Sequence, residues 1–150
     1  KGGNAVDAAI AVASTMNVVY PQMTTLGGDN FWLIYNAKTK EVKALNASGR
    51  AGELATIDFY KKKGYDKIPS RGYLAANTVP GTVSGWDAAH KYARANMSNA
   101  GLPWKDLFDS AILYSQKGFP VTASLARWEE INVDPNSGIC SVSPDSNRLT

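Results

Sequence analysis

The chain has 150 residues, of which 44% are hydrophobic and 19% are charged, with a net charge of +3. This is the composition of a folded protein with a packed core, and it excludes a disordered chain. The single cysteine, Cys140, excludes an internal disulfide and a zinc site built from several cysteines.

The first predicted helix covers residues 4–13 and is apolar on almost every side. Asn4 is a favourable N-cap, and Asp7 three residues later can complete a capping box. Alanine, valine and isoleucine occupy most of the following positions. Since a helix that is apolar all round is normally buried, we expect this helix to lie between layers of the fold.

A β-hairpin is predicted next. Residues 31–35 form an aromatic and aliphatic run, which predicts a strand with two apolar faces and hence a central place in a sheet. A turn at residues 36–40 leads to a second strand at residues 41–45, which begins with alternating polar and apolar side chains. The simplest pairing of the two strands is antiparallel.

Helices are predicted beyond residue 50. Thr56 can cap a short helix that Gly64 terminates, and Pro103 stands at the first turn of a later helix. The longer predicted helices are residues 82–95, 104–117 and 122–130. We interpret the chain as one region made of a helix and hairpin (1–50), a helical part (51–130) and a loop-like tail (131–150) that is rich in turn residues.

Neither a membrane nor a nucleic acid is predicted as a partner. The longest apolar run, residues 8–13, is too short to span a bilayer, and no signal peptide is visible, so the compartment stays open. The basic cluster at residues 61–67 lacks the interleaved aromatic side chains of a nucleic-acid platform. A solvated helix end, whose cations oppose the negative end of the helix dipole, is the favoured interpretation.

A glycine-rich turn at residues 26–30 is the first candidate site. Phosphate-binding loops follow a strand, open onto a helix and carry a lysine beside a serine or threonine. Here Gly27 and Gly28 precede a strand, and no such lysine follows. The pattern favours close backbone packing or positive φ angles over phosphate binding.

The candidates for catalysis are better explained as structural residues. His90 lies in the middle of a predicted helix, and Cys140 has no histidine near it in the sequence. The adjacent Glu129 and Glu130 point in different directions on a helix and cannot form a facing acid–base pair. The chain also lacks a cluster of metal ligands, so these patterns predict no catalytic residue, metal or cofactor.

Several motifs nevertheless occur in the order typical of one family. The start of the chain resembles the signature stretch of γ-glutamyltranspeptidases, and later segments are similar to the "VPGTVAG", "LPWxxLxxPAI" and "GFPV" motifs of that family. The matching segments are residues 1–9, 27–35, 37–45, 79–86, 102–112 and 118–121. The resemblance covers residues 1–128, and its specificity comes from the order and spacing of the matches.

The resemblance implies an N-terminal-nucleophile hydrolase, which is an α+β protein with two stacked sheets between helical layers. The chain would supply a part of this αββα sandwich: the central antiparallel hairpin, the buried N-terminal helix and several C-terminal helices. The family precursor cuts itself into a large and a small subunit. The new N-terminal threonine of the small subunit then attacks a γ-glutamyl amide such as glutathione, and water or an amine accepts the γ-glutamyl group.

The nucleophile implied by the resemblance is not in this chain. Thr150 stands at a C-terminus and cannot act as an N-terminal nucleophile. We therefore interpret the chain as an internal fragment of the large subunit, inactive alone, whose partners are the small subunit and a small γ-glutamyl substrate.

One substrate contact of the family does belong to the large subunit. An arginine in an "RExAP"-like motif after the second strand holds the glutamate α-carboxylate. Aligning Ala51 and Gly52 with the last two positions of that motif places Ser48, not Arg50, at the arginine position. A shift of two residues in the loop would bring Arg50 to the carboxylate, where serine is a poor substitute for a bidentate arginine. Arg50 and Ser48 are the predicted substrate-binding residues, and a loop arginine paired with a nearby acid is the alternative.

This departure keeps two other functions open. A related acylase, acting on cephalosporin-type or other amides, shares the implied fold. A stand-alone, non-catalytic binding module is the remaining alternative. An all-apolar helix and a two-sided apolar strand argue against the module, because both need covering layers that one hairpin scarcely supplies.

Overall fold

A computed structural model of the chain describes residues 1–132, with side chains up to residue 127. The helices are α1 (Ala5–Val19), α2 (Ile57–Lys62), α3 (Thr82–Asn96), α4 (Asp109–Lys117) and α5 (Ala123–Asn132), and the strands are β1 (Asn30–Asn36) and β2 (Glu41–Ala47). This confirms the α+β class. Most of the predicted tail, including Cys140, lies outside the described residues. No helix within residues 1–132 is long and apolar enough to cross a bilayer.

The helix starts follow the capping signals in the sequence. The Asn4 side chain accepts hydrogen bonds from the backbone N–H groups of Val6 (2.9 Å) and Asp7 (3.0 Å), and the Asp7 carboxylate accepts one from the Asn4 N–H (2.9 Å). The capping box is therefore confirmed. Thr56 caps α2 by accepting from the Phe59 N–H at 3.2 Å, and Gly64 follows α2 with a φ of 82°.

Only one side of α1 is buried. Val6 and Ile10 face the core with 4% and 0% exposure, whereas Val12 on the other side is 62% exposed. The described residues alone do not bury α1 on all sides, and burial of its other side stays a prediction. These residues pack on α1 from one side only, through α3, α4 and the turn before α4.

The two strands form the predicted antiparallel hairpin, with Asn30 opposite Ala47 and Asn36 opposite Glu41. Alternate side chains of β1 point to opposite faces of the hairpin. Trp32 and Ile34 pack toward the core against α3.

The opposite face of the hairpin is uncovered in the described part of the chain. Phe31, Leu33 and Tyr35 of β1 are 66%, 80% and 58% exposed, and Val42 beside Tyr35 is 62% exposed. Within residues 1–132 the sheet has two strands and contacts a helix on one face only, so the central place of β1 stays a prediction.

The core lies where α1, the hairpin and α3 meet. Its buried members are Val6, Ile10, Ile34, Trp86, Ala89, Ala93 and Leu107. Trp86 is 1% exposed, and its ring lies 6.2 Å from that of Phe108, centroid to centroid. This core fixes α3 against the hairpin, so the N-terminus of α3 is placed beside the end of β2.

The predicted helix at residues 104–117 begins as a 3-10 turn, Trp104–Phe108, and becomes α-helical at Asp109. The Asp106 N–H donates to the Pro103 carbonyl at 3.0 Å, which is the i to i+3 pattern of a 3-10 turn. Pro103 itself is extended, with φ −57° and ψ 143°. The final helix starts as predicted near Thr122, whose hydroxyl accepts from the Leu125 N–H at 3.2 Å.

Candidate functional site

Ser48 and Arg50 lie in the loop after β2, along the wall of an open cavity of about 480 Å³. The opposite wall is formed by residues 79–81 and by the first turns of α3, including Ser84 and Gly85. The two predicted substrate-binding residues therefore line the same cavity.

The Ser48 hydroxyl is already engaged. Asn46 accepts hydrogen bonds at its Oδ1 from both the Ser48 N–H (2.9 Å) and the Ser48 Oγ (2.7 Å). A hydroxyl has one proton to donate, so Ser48 offers only acceptor lone pairs to a ligand while this bond is made. A carboxylate needs donors, and Ser48 in this conformation supplies none.

Arg50 has the opposite properties. Its side chain is exposed, and it forms no hydrogen bond or ion pair with any other described residue. Its backbone is fixed, because the Arg50 carbonyl accepts from the Val79 N–H at 2.9 Å. A guanidinium carries five N–H donors in a planar fork that matches a carboxylate. Arg50 therefore has the donors that a carboxylate requires, and no acid is paired with it among the side chains described, those of residues 1–127.

Glycines allow the segments that line the cavity to pack closely against each other. A Cβ atom on Gly49 would overlap the carbonyl oxygen of Val79, and one on Gly81 would overlap the carbonyl oxygen of Ala47. A Cβ on Gly85 would lie 2.6 Å from the Ala47 Cβ. None of these three glycines has a positive φ, so the requirement is the close approach of two backbones.

The turn before β1 holds the N-terminus of α3. The Gly28 carbonyl accepts from the N–H groups of Gly81 (3.0 Å) and Thr82 (3.1 Å) and from the Thr82 hydroxyl (2.8 Å). Gly27 and Gly28 do not have positive φ angles, so the expectation of positive φ angles was wrong, and a Cβ on either would meet only Thr25 within 4 Å. Sequence reasoning missed the next residue: Asp29 Oδ1 accepts from the Gly49 N–H at 3.2 Å, which links the turn to the Ser48–Arg50 loop.

His90 is a buried structural residue, 6% exposed. Its Nε2 lies 3.0 Å from the Leu102 carbonyl oxygen, which can only accept, so Nε2 carries a proton and donates there. The same nitrogen is 3.7 Å from Asp7 Oδ1, and the ring lies 5.5 Å from that of Trp104. The buried carboxylate beside His90 was not predicted, because no local pattern connects residues so far apart.

The Asp7 carboxylate joins three segments of the chain. Besides capping α1 and approaching His90, it accepts from the Leu102 N–H at 2.9 Å. It also borders a second cavity, of about 250 Å³, beside Lys1 and Asp109. The hydrogen bond from Lys1 to Asp109 raises the pKa of the lysine above its ordinary value, and both side chains are exposed. Both hydrogen bonds go to Asp7 Oδ2, whereas Oδ1 is buried without a hydrogen-bond partner among the described residues and lies 3.7 Å from His90 Nε2.

Among the described residues there is no group of three metal-ligating side chains. The side chains of Glu129 and Glu130 lie outside the described part, although both residues belong to α5. The chemistry available at the described site is binding. One arginine with free N–H donors lines a cavity, and the backbone around it is held by close contacts.

Comparison with known proteins gives the family. The family model for gamma-glutamyltranspeptidase matches residues 1–136, and the chain belongs to this family. The chain is 48% identical over 135 residues to the glutathione hydrolase-like YwrD proenzyme of Bacillus subtilis (strain 168), covering 89% of this chain and 24% of that protein. It is 47% identical over 126 residues to the oxamate amidohydrolase proenzyme of Klebsiella pneumoniae, covering 84% and 23%.

A solved structure with the same fold is the cephalosporin acylase from Bacillus halodurans. It superimposes with a TM-score of 0.77 at 36% identity and covers 89% of this chain and 24% of that one. The chain thus spans about a quarter of the length of these relatives. The relatives act on different substrates by name, so family membership leaves the substrate of this chain to be argued from its cavity.

Proposed function

We propose that the chain is part of the large subunit of an amide-cleaving acyltransferase or hydrolase whose substrate carries a carboxylate, with γ-glutamyl amides such as glutathione preferred. The observation that carries this proposal is Arg50, which lines the cavity with unused donors while the Ser48 proton is held by Asn46. A bidentate arginine–carboxylate pair fixes both the position and the orientation of a substrate. Ser48 contributes an acceptor to the same cavity.

In this proposal the chemistry is completed by a small subunit. The hydroxyl of its N-terminal threonine attacks the amide carbonyl, and its own α-amino group takes the proton. The amine leaves with a proton, and a γ-glutamyl ester remains on the threonine. Water or an amine acceptor then attacks the ester and restores the hydroxyl. The described residues of this chain supply substrate binding and no nucleophile, so we infer that the chain alone is inactive.

The exposed face of the hairpin supports such a partner. Phe31, Leu33, Tyr35 and Val42 form an apolar surface on the side of the sheet away from α3. An apolar strand face of this kind is normally covered by another layer. We propose that the rest of the precursor, including the small subunit, supplies the second sheet of an αββα sandwich there, with residues 1–150 acting as one region of the large subunit.

An acylase acting on other amides is the second candidate. It is favoured by the position of Ser48, which stands where the typical family motif has arginine, and by the likeness to the cephalosporin acylase. The likeness to an oxamate amidohydrolase supports the broader substrate class, because oxamate also joins an amide to a carboxylate. Membership in a family of enzymes argues against a stand-alone binding module.

The first test compares the 150-residue chain with the uninterrupted gene product on a γ-glutamyl anilide. We expect release of the aniline by the full product and none by the chain, because the nucleophile and the second sheet are supplied from outside it. Cleavage by the 150-residue chain itself would overturn the proposal that the nucleophile lies outside it. A full product that processes itself but cleaves only cephalosporin-type amides would replace the γ-glutamyl proposal with the acylase.

The second test removes the proposed carboxylate contact. Arg50→Ala in the full product is expected to raise KM for the γ-glutamyl anilide about 10- to 100-fold, since hydrogen bonds to charged groups contribute about 1.5–3 kcal/mol. Arg50→Lys keeps the charge but lacks the planar fork of the guanidinium, so its KM should lie between those of the unaltered enzyme and Arg50→Ala. Arg127→Ala on α5 removes an exposed arginine away from the cavity and is the control. Equal KM values for Arg50→Ala and Arg127→Ala would exclude Arg50 as the contact.

A further inference from the structure

Asp29 connects the three segments that build the cavity. Its carboxylate accepts from the Gly49 N–H at 3.2 Å, in the loop that carries Ser48 and Arg50. Its backbone carbonyl oxygen also lies 3.2 Å from the hydroxyl of Thr82, the first residue of α3, whose one proton is shared with the nearer Gly28 carbonyl at 2.8 Å. The preceding carbonyl, that of Gly28, holds the Gly81 and Thr82 N–H groups. The Asp29 side chain therefore extends from a turn that is itself fixed on the N-terminus of α3.

The loop after β2 is held from two directions. Val79 lies so close to Gly49 that a Cβ there would overlap the Val79 carbonyl oxygen, and the Val79 N–H donates to the Arg50 carbonyl at 2.9 Å. The Asp29 carboxylate holds the Gly49 N–H. Of these restraints, only the one from Asp29 is made by a side chain. It can therefore be removed by a substitution at Asp29, outside the loop, with every residue of the loop itself unchanged.

We propose that Asp29 is a positioning residue for carboxylate recognition, acting through Arg50. Its bond to the Gly49 N–H fixes the backbone one residue before Arg50, and this sets where the guanidinium fork meets the substrate carboxylate. A bidentate pair depends on this placement because both N–H groups must meet both oxygens at once. The inference rests on the proposed function, and it adds a specificity-determining residue in the turn before β1.

If Asp29 acts through Arg50, its loss should change the KM of carboxylate-bearing substrates more than kcat. Loss of the Asp29 acceptor loosens the loop and weakens the hold on the carboxylate, so it affects binding of substrates that carry one. It leaves the attacking group untouched, because no described residue of this chain provides it. Asp29→Asn keeps an oxygen acceptor for the Gly49 N–H and removes the charge, whereas Asp29→Ala removes both.

The experiment uses the full gene product with two anilides: the γ-glutamyl anilide and its 4-aminobutyryl analogue, which lacks the α-carboxylate. Asp29→Ala should raise KM for the γ-glutamyl anilide about five- to tenfold, with kcat within about twofold, and leave kcat/KM for the analogue unchanged. Asp29→Asn should stay within about twofold of the unaltered enzyme on both. In an Arg50→Ala background, Asp29→Ala should add nothing, because both changes remove the same interaction.

Three results would overturn the proposal. Equal losses on both anilides would show a structural role, as would a fall in kcat with KM unchanged. An Asp29→Ala effect that multiplies fully with that of Arg50→Ala would show that Asp29 does not act through the arginine. Failure of the underlying function looks different: the unaltered enzyme would then not discriminate between the two anilides, and Arg50→Ala would leave KM unchanged.

Discussion

Replacing Gly49 with alanine is expected to destabilise the protein by about 2–4 kcal/mol and to lower hydrolysis of a γ-glutamyl anilide by the full gene product more than tenfold. The new Cβ would overlap the Val79 carbonyl oxygen, and a backbone atom cannot move aside as a side chain can. Relief requires the loop to separate from residue 79. Overpacking of this kind costs about 1–3 kcal/mol, and a lost hydrogen bond adds about 1 kcal/mol.

The effect on activity follows from what the separation breaks. Moving the loop away from Val79 stretches the bond from the Val79 N–H to the Arg50 carbonyl and displaces the Gly49 N–H from Asp29. Both contacts fix the backbone beside Arg50, so the proposed carboxylate contact is displaced with them. Thermal unfolding of the full product and its kcat/KM measure the two losses separately.

Gly52→Ala is the matched control. A Cβ on Gly52 meets nothing within 4 Å, its φ is not positive, and its N–H bond to the Asn77 carbonyl at 3.1 Å is kept. This variant should stay within about 0.5 kcal/mol of the unaltered protein. If Gly49→Ala and Gly52→Ala behave alike, the close approach of Gly49 and Val79 is not what holds the cavity wall.

Replacing Asp7 with alanine is expected to destabilise the full product by about 2–4 kcal/mol. The carboxylate is 2% exposed and accepts from the N–H groups of Asn4 and Leu102, each at 2.9 Å. Truncation leaves two part-buried donors without their acceptor, and each such group costs about 1–3 kcal/mol. The lost bond from Asn4 is also half of the capping box. Removing a buried charge recovers part of this cost, which keeps the expected total below the sum.

Two further variants separate the hydrogen bonds of Asp7 from the effect of a negative charge near a helix N-terminus. Asp7→Asn keeps an oxygen acceptor and should lose about 1 kcal/mol. Asp58→Ala removes an exposed acid from the first turn of α2 and should cost less than about 1 kcal/mol, as expected for a helix-dipole effect alone. Denaturant unfolding of the three variants gives the comparison. A loss at Asp7 no greater than that at Asp58 would mean that the links to Leu102 and His90 contribute nothing.

The cavity suggests why relatives of similar sequence can differ in substrate. In the proposed alignment of the motif, Ser48 takes the typical arginine position, and the proposed contact, Arg50, lies two residues further along the same loop. The guanidinium proposed to hold the carboxylate is thus attached to the backbone two residues further along the loop. A small change in loop geometry, such as the one that Asp29 is proposed to control, would then change which carboxylate is held at the correct distance from the nucleophile.

Local sequence patterns predicted the type and order of the helices and strands and several of their starting residues, because these depend on neighbours in the chain, but the end of α1 at Val19 was not predicted. Asn4 and Thr56 cap their own helices through backbone groups two or three residues away. The antiparallel hairpin follows from two short runs and the turn between them. The family was recognisable from ordered motifs, and the family match supports that reading. Arg50 and Ser48 were predicted from the same motifs, and their role in binding stays a prediction.

The surfaces that pack against each other could not be predicted from the sequence and are seen in the tertiary structure. The sequence predicted burial for all of α1 and for both faces of β1, but apolarity does not reveal which side receives a neighbour, and Val12 and Leu33 are exposed. The contacts from Asp29 to Gly49 and from Asp7 to Leu102 join segments distant in the chain. Such contacts leave no local pattern, because they depend on how α1, the hairpin and α3 pack together and not on the residues beside them.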